Sequence, residues 1–112
     1  MSDDLLGKTC TPCRGGIPPL TRTEADTYLQ QAPGWSLVDD GRRIERIFSF
    51  RNFKEAMTFV AKVGGLAETE GHHPEIDFGW GRAKVSWQTK KIGGLNENDF
   101  IMAAKTNQLS ET

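Results

Sequence analysis

Two short clusters hold most of the chemistry available to this chain. Glu68-x3-His72-His73-Pro74 joins a carboxylate to two adjacent imidazoles, and Cys10-Thr11-Pro12-Cys13 sets two thiols three positions apart. Imidazole has a reference pKa of about 6.5, so a pair of rings can supply both a proton donor and a proton acceptor near neutral pH. The same residues have a plainer use. Histidines at the end of a helix favour the negative end of its dipole, and a proline after them directs the chain away. On these residues alone, proton transfer and helix termination both stay open.

The thiols are less informative. A closed structural zinc site takes four ligands, whereas the chain has two cysteines, and its two histidines are adjacent rather than spaced by three to five residues. A thioredoxin-like pair would follow a strand and open a helix. Here Gly15, Gly16, Pro18 and Pro19 follow instead. The expectation is therefore no bound metal and reduced thiols in a flexible lead-in spanning residues 1–20.

The elements that must position the histidines follow from length and patterning. With 112 residues, 37% hydrophobic and 26% charged, the chain suits one globular domain with one core. A net charge of −1 provides no broad positive field, so no nucleic-acid partner is expected. The longest apolar run, Phe100 to Ala104, is far short of the roughly 20 residues of a membrane span. The opening Met1-Ser2-Asp3-Asp4 lacks the apolar stretch of a signal peptide, which implies a cytoplasmic protein.

Three cap-x-x-acid patterns, Thr21–Glu24, Asn52–Glu55 and Asn96–Asp99, mark three helix starts. The first helix is predicted over 22–31 and stops at Pro33-Gly34. The second, over 53–70, has Phe53, Ala56, Met57, Val60, Val63 and Ala67 on one stripe and ends at Gly71. The third turns Phe100, Ala103 and Ala104 inward. Between them, β-forming residues flank Asp39-Asp40-Gly41, and alternating Ile76, Phe78, Trp80 and Ala83, Val85, Trp87 flank Gly81-Arg82, which predicts two hairpins. The resulting class is α+β: a four-stranded antiparallel sheet with three helices packed on one face, over a domain at 21–107 with a frayed tail at 108–112. An open sheet edge suits pairing with a second copy, so a homodimer or homotetramer is expected.

At this point the chain resembles the pterin-4a-carbinolamine dehydratases. The lead-in Cys10 to Thr21, the core pattern Glu68-x3-His72-His73-Pro74, the aromatic Trp80 after five further residues, and Gly94-Leu95 before Asn98-Asp99-Phe100 all match. The resemblance implies the same α+β fold, a reduced pterin as ligand, and no metal or organic cofactor. It also implies a reaction, loss of water from a 4a-hydroxytetrahydropterin to give a quinonoid dihydropterin. Hydroxide leaves badly unless an acid protonates it, and the ring nitrogen that expels it must give its own proton to a base. Carried over, His72 and His73 are the histidine pair, Asp99 the closing acid, and Glu68, Pro74 and Trp80 the substrate-binding positions.

One position departs from the pattern. After nine residues beyond Trp80 the family has a third histidine, or sometimes tryptophan, and this chain has Lys90. A charged lysine has three donors and no acceptor, and its reference pKa of about 10.4 makes it a poor acid near pH 7. Lys91 is no substitute if the segment is a strand, because alternate residues face opposite sides. Lys90 directs the reading to a branch of the family associated with α-carboxysomes, in which turnover is impaired or lost and the scaffold assists assembly of Rubisco subunits. The alternative is an active dehydratase that recycles pterin for an aromatic amino-acid hydroxylase.

Overall fold

The computed structural model describes residues 5–10 and 15–111. Its elements run in the order α1 (Arg22–Leu29), β1 (Ser36–Val38), β2 (Arg43–Ser49), α2 (Phe53–Glu70), β3 (Glu75–Gly79), β4 (Arg82–Trp87), a 3-10 turn (Lys90–Ile92) and α3 (Glu97–Ser110). The strands form one antiparallel sheet in the order β1-β2-β4-β3, so the two hairpins join through β2 and β4. This is the α+β architecture expected from the patterning.

All three helices start where the capping residues place them. Thr21 Oγ1 accepts from the Glu24 amide at 3.2 Å, and the Glu24 carboxylate accepts from the Thr21 amide at 2.8 Å. Asn52 accepts from the Glu55 amide at 2.9 Å, but the Glu55 carboxylate reaches one residue further back, to the Arg51 amide at 3.0 Å and the Arg51 guanidinium. At α3 the reciprocal pair is Asn96 and Asp99. The end of α2 also follows expectation: Gly71 takes φ 69°, a left-handed conformation that glycine adopts without Cβ strain. Its amide and that of His72 both donate to the Ala67 carbonyl, at 2.9 and 3.2 Å, which turns the chain sharply before the histidines.

One face of the sheet carries Ile44, Phe48, Ala83, Val85 and Trp87 into the core, where Phe59, Val63 and Ala67 of α2 and Phe100 to Ala104 of α3 meet them. Opposite pleats point to solvent, as Ile47 at 58% exposure shows. Three features go beyond the sequence reading. Helix α3 is buried well beyond Phe100, Ala103 and Ala104: Asn98, Asp99, Ile101, Met102, Thr106 and Asn107 are also buried, because the helix packs against α1, α2 and β4 together. Its polar residues survive there by bonding. Asn107 accepts from Trp35 Nε1 at 2.8 Å and from Arg46 at 2.6 Å, and donates to the Pro33 carbonyl at 2.9 Å. The tail is ordered into helix as far as Ser110, since Leu109 packs against the core. At the other end, Leu5 is 1% exposed, so residues 5–10 of the lead-in are docked onto the domain rather than free of it.

Candidate functional site

The turn at Gly71 delivers His72, His73 and Pro74 to the end of the sheet where β3 begins and β4 finishes. There a cleft of about 550 Å³ opens, with His72, His73, Pro74, Thr89 and Lys90 among its lining residues.

His72 is the anchored member of the pair. Its side chain is 13% exposed, its ring stacks on the buried Trp87 indole at 5.6 Å and 11°, and its Nε2 lies 2.7 Å from Asp99 Oδ1. Asp99 is fully buried. Its second oxygen accepts from Thr89 Oγ1 at 2.8 Å and from the Asn96 amide at 3.0 Å. With every neighbour donating, Asp99 acts as acceptor throughout, so His72 holds its proton on Nε2 and keeps Nδ1 as the ring nitrogen left for a ligand. The carboxylate thus does two jobs: it closes the α3 capping box and fixes the tautomer and tilt of a histidine 27 residues away in sequence.

His73 is placed differently. It is 60% exposed, and its Nε2 lies 2.5 Å from Glu68 Oε2 on an exposed carboxylate. Glu68 therefore stands behind His73 and outside the cleft lining. Pro74 lines the cleft directly. Trp80 does not come near: it sits at the tip of the β3–β4 hairpin, at the opposite end of β3 from Pro74, and is 76% exposed.

Lys90 reaches the cleft, but from a 3-10 turn rather than a strand. Strand alternation therefore does not separate Lys90 from Lys91, and both line the cleft. The Lys90 ammonium is exposed on the rim and faces Glu75 Oε2 at 3.5 Å. Several lining or supporting residues carried no sequence signal that pointed to the cleft: Arg43 and Ser86 from the sheet, Gln88 just beyond β4, and Thr89 and Trp87 behind the histidine. Only Glu70 left a trace, since an acid in the last turn of a helix opposes the dipole and needs a compensating partner. That partner is Lys105 at 3.6 Å, and Glu70 also accepts from the Cys10 amide at 2.9 Å.

Among the described residues no group of three or more His, Cys, Asp or Glu side chains could hold a metal, and Cys13 lies outside them. Cys10 is a free thiol at the cleft edge whose pKa is pushed up to about 12, chiefly by burial and then by the negative charge of Glu70. Because the thiolate is the nucleophile, Cys10 is expected to react with iodoacetamide at pH 7 at least about a hundredfold slower than an ordinary thiol whose pKa is about 8.5. Alkylation of a Cys13→Ser variant, followed by mass, checks this; labelling as fast as glutathione would contradict the buried, acid-flanked placement.

With the geometry in place, comparison with known proteins is specific. The sequence model of the family described as "Pterin 4 alpha carbinolamine dehydratase" matches residues 18–109. A protein of Aromatoleum aromaticum provisionally named a pterin-4-alpha-carbinolamine dehydratase is 66% identical over 112 residues, covering 100% of both chains. One of Cupriavidus pinatubonensis with the same provisional name is 64% identical over 110 residues, covering 98% of this chain and 95% of its own. Among solved structures, a transcriptional coactivator/pterin dehydratase from Brucella melitensis superposes with a TM-score of 0.78 at 35% identity, covering 82% of this chain and 98% of its own. A pterin dehydratase-like protein identified as a RuBisCO assembly factor in the alpha-carboxysome shares the fold, with a TM-score of 0.61 at 20% identity over 70% of this chain and 92% of its own.

Proposed function

This chain belongs to the pterin 4 alpha carbinolamine dehydratase family, and from that premise we propose that it dehydrates a 4a-hydroxytetrahydropterin, more slowly than members with a third histidine. The observation that carries this reading is the buried Asp99–His72 pair, with its Thr89 and Asn96 donors and its Trp87 stack. Capping α3 accounts for one oxygen of the buried Asp99, and the other is aimed at a cleft-lining imidazole, an arrangement that supports proton transfer because burying such a group is costly unless its lone pairs are matched.

In this reading the pterin lies in the cleft with its N5–H toward His72 Nδ1. His72 takes that proton as the C4a–O bond breaks, and Asp99 stabilises the imidazolium that forms. The departing hydroxide takes a proton from His73, whose Nε2 is steered by Glu68. Lys90 contributes positive charge at the rim, which favours the developing negative charge on oxygen but lacks the acceptor a histidine would offer. Pro74 forms part of the pterin-binding wall, and Trp80 stands apart from the cleft at the exposed tip of the β3–β4 hairpin. No metal or organic cofactor enters. Two or more copies associate through an open sheet edge, β1 or β3, which leaves backbone groups unpaired in the single chain.

A second reading, lost turnover with a scaffold that holds Rubisco subunits in the cytoplasm during α-carboxysome assembly, draws on Lys90. Two assays separate them. Stopped-flow decay of freshly generated 4a-hydroxytetrahydropterin is expected to accelerate with protein concentration. Co-expression with Rubisco subunits is expected to leave the yield of assembled enzyme unchanged. Uncatalysed decay together with a raised yield and co-purification would overturn the dehydratase reading in favour of the second. Sedimentation at micromolar concentration is expected to show a species larger than the monomer.

A further inference from the structure

The cleft holds more positive charge than dehydration requires. Arg43 lines it from the start of β2, and Lys90 and Lys91 line it from the turn after β4. Two carboxylates also line it, and each has a cation of its own: Glu70 faces Lys105 at 3.6 Å, and Glu75 faces Lys90 at 3.5 Å. Asp99 lies behind His72 with both oxygens taken by donors.

That leaves Arg43 and Lys91. Among the described residues Lys91 has no carboxylate within 4.0 Å. Arg43 meets Asp39 only at 3.8 Å, through one guanidinium nitrogen, and its side chain stays about one third exposed where it lines the cleft. The guanidinium donors that Asp39 does not engage can make charge-assisted bonds to an anionic ligand in the cleft. The cleft also has room, since its volume of about 550 Å³ is that of a site for a drug-sized molecule, larger than a bare bicyclic ring.

We propose, resting on the pterin reading above, that the natural ligand is a reduced pterin whose side chain ends in an anionic group, a phosphate ester or a carboxylate, held by Lys91 and Arg43. The lysine at position 90 then has a second effect. By occupying Glu75, it keeps that carboxylate from repelling the ligand's anion or from capturing Lys91.

Titration calorimetry with three ligands tests this without requiring turnover. The ligands are 7,8-dihydrobiopterin, whose side chain is neutral, 7,8-dihydroneopterin monophosphate, and 7,8-dihydrofolate with its glutamate carboxylates. At low salt at least one anionic ligand is expected to bind about tenfold or more tightly than dihydrobiopterin. That ratio should shrink on raising salt to about 0.5 M, where screening is strong. It should also fall to within about twofold in the Lys91→Ala and Arg43→Ala variants and persist in Lys91→Arg, in line with recognition by charge. The phosphate and carboxylate arms identify which anion is preferred. Equal affinity for all three ligands, or a ratio that survives both alanine substitutions, would overturn the proposal while leaving the dehydratase reading standing. Failure of all three to bind would overturn the pterin reading, and this inference with it.

Discussion

Replacing His72 by glutamine is expected to lower the dehydration rate by a factor of roughly 10² to 10⁴, the usual loss for one positioned acid or base. Glutamine is the informative substitution because its amide can still donate to Asp99 Oδ1, where His72 now bonds at 2.7 Å. Alanine would leave that fully buried carboxylate short of a donor, and the resulting cost of about 1–3 kcal/mol would confuse a catalytic loss with a folding one. The glutamine variant should therefore melt within a few degrees of the parent while losing turnover. Substrate affinity should change little if the ring acts mainly in the transition state, so the loss should fall on kcat rather than KM. A variant that melts normally and dehydrates at the parental rate would remove His72 from the reaction.

Lys90→His is expected to act in the opposite direction and raise the rate by about 10² or more, because it restores a group that titrates near the working pH. The structure makes the exchange tolerable. Lys90 opens a 3-10 turn, its side chain is 75% exposed, and its one ion pair, with Glu75, joins two exposed groups that contribute little to stability. The new imidazole would line the same cleft as His72 and His73. Stopped-flow rates between pH 6 and 8 give the answer, with the variant gaining a further pH dependence in the histidine range, about 6.5, over that of the parent. No gain in rate would show that Lys90 is not what limits turnover. It would also remove the main support for reading this chain as an impaired enzyme.

Local chemistry was largely legible in the amino-acid order. Thr21, Asn52 and Asn96 announce their helices because a cap and the acid three residues on lie within one turn of each other, even though Glu55 turns to Arg51 instead of reciprocating. Gly71 announces the end of α2 because only the backbone of that residue is at issue. The first hairpin follows from β-forming residues around Asp39-Asp40-Gly41, and the second from period-two alternation around Gly81-Arg82. Asp99 was legible twice over, as a capping acid and as the closing acid of a family pattern. The histidine pair stood out because it sets two groups that titrate near neutral pH side by side, although the residues alone left helix termination equally open.

What the order of residues could not convey is everything that depends on distance across the fold. Strand alternation misplaced Lys91 because the segment after Trp87 leaves the sheet for a 3-10 turn, which brings both lysines to the cleft. Trp80 matches the family pattern by spacing, yet the β3–β4 turn carries it to the far end of the hairpin. Leu5 and Leu109 lie in segments whose composition reads as loose, and docking against a core assembled from distant elements holds them. The difference between His72 and His73, identical in type and adjacent in sequence, is likewise tertiary. One turns inward onto Trp87 and Asp99, and the other turns out to Glu68. Sequence determined the elements and the reacting groups, because capping, periodicity and residue chemistry act within a few positions. The tertiary structure alone decided which groups are buried, oriented and charged at one place, because desolvation and electrostatic coupling depend on proximity in space.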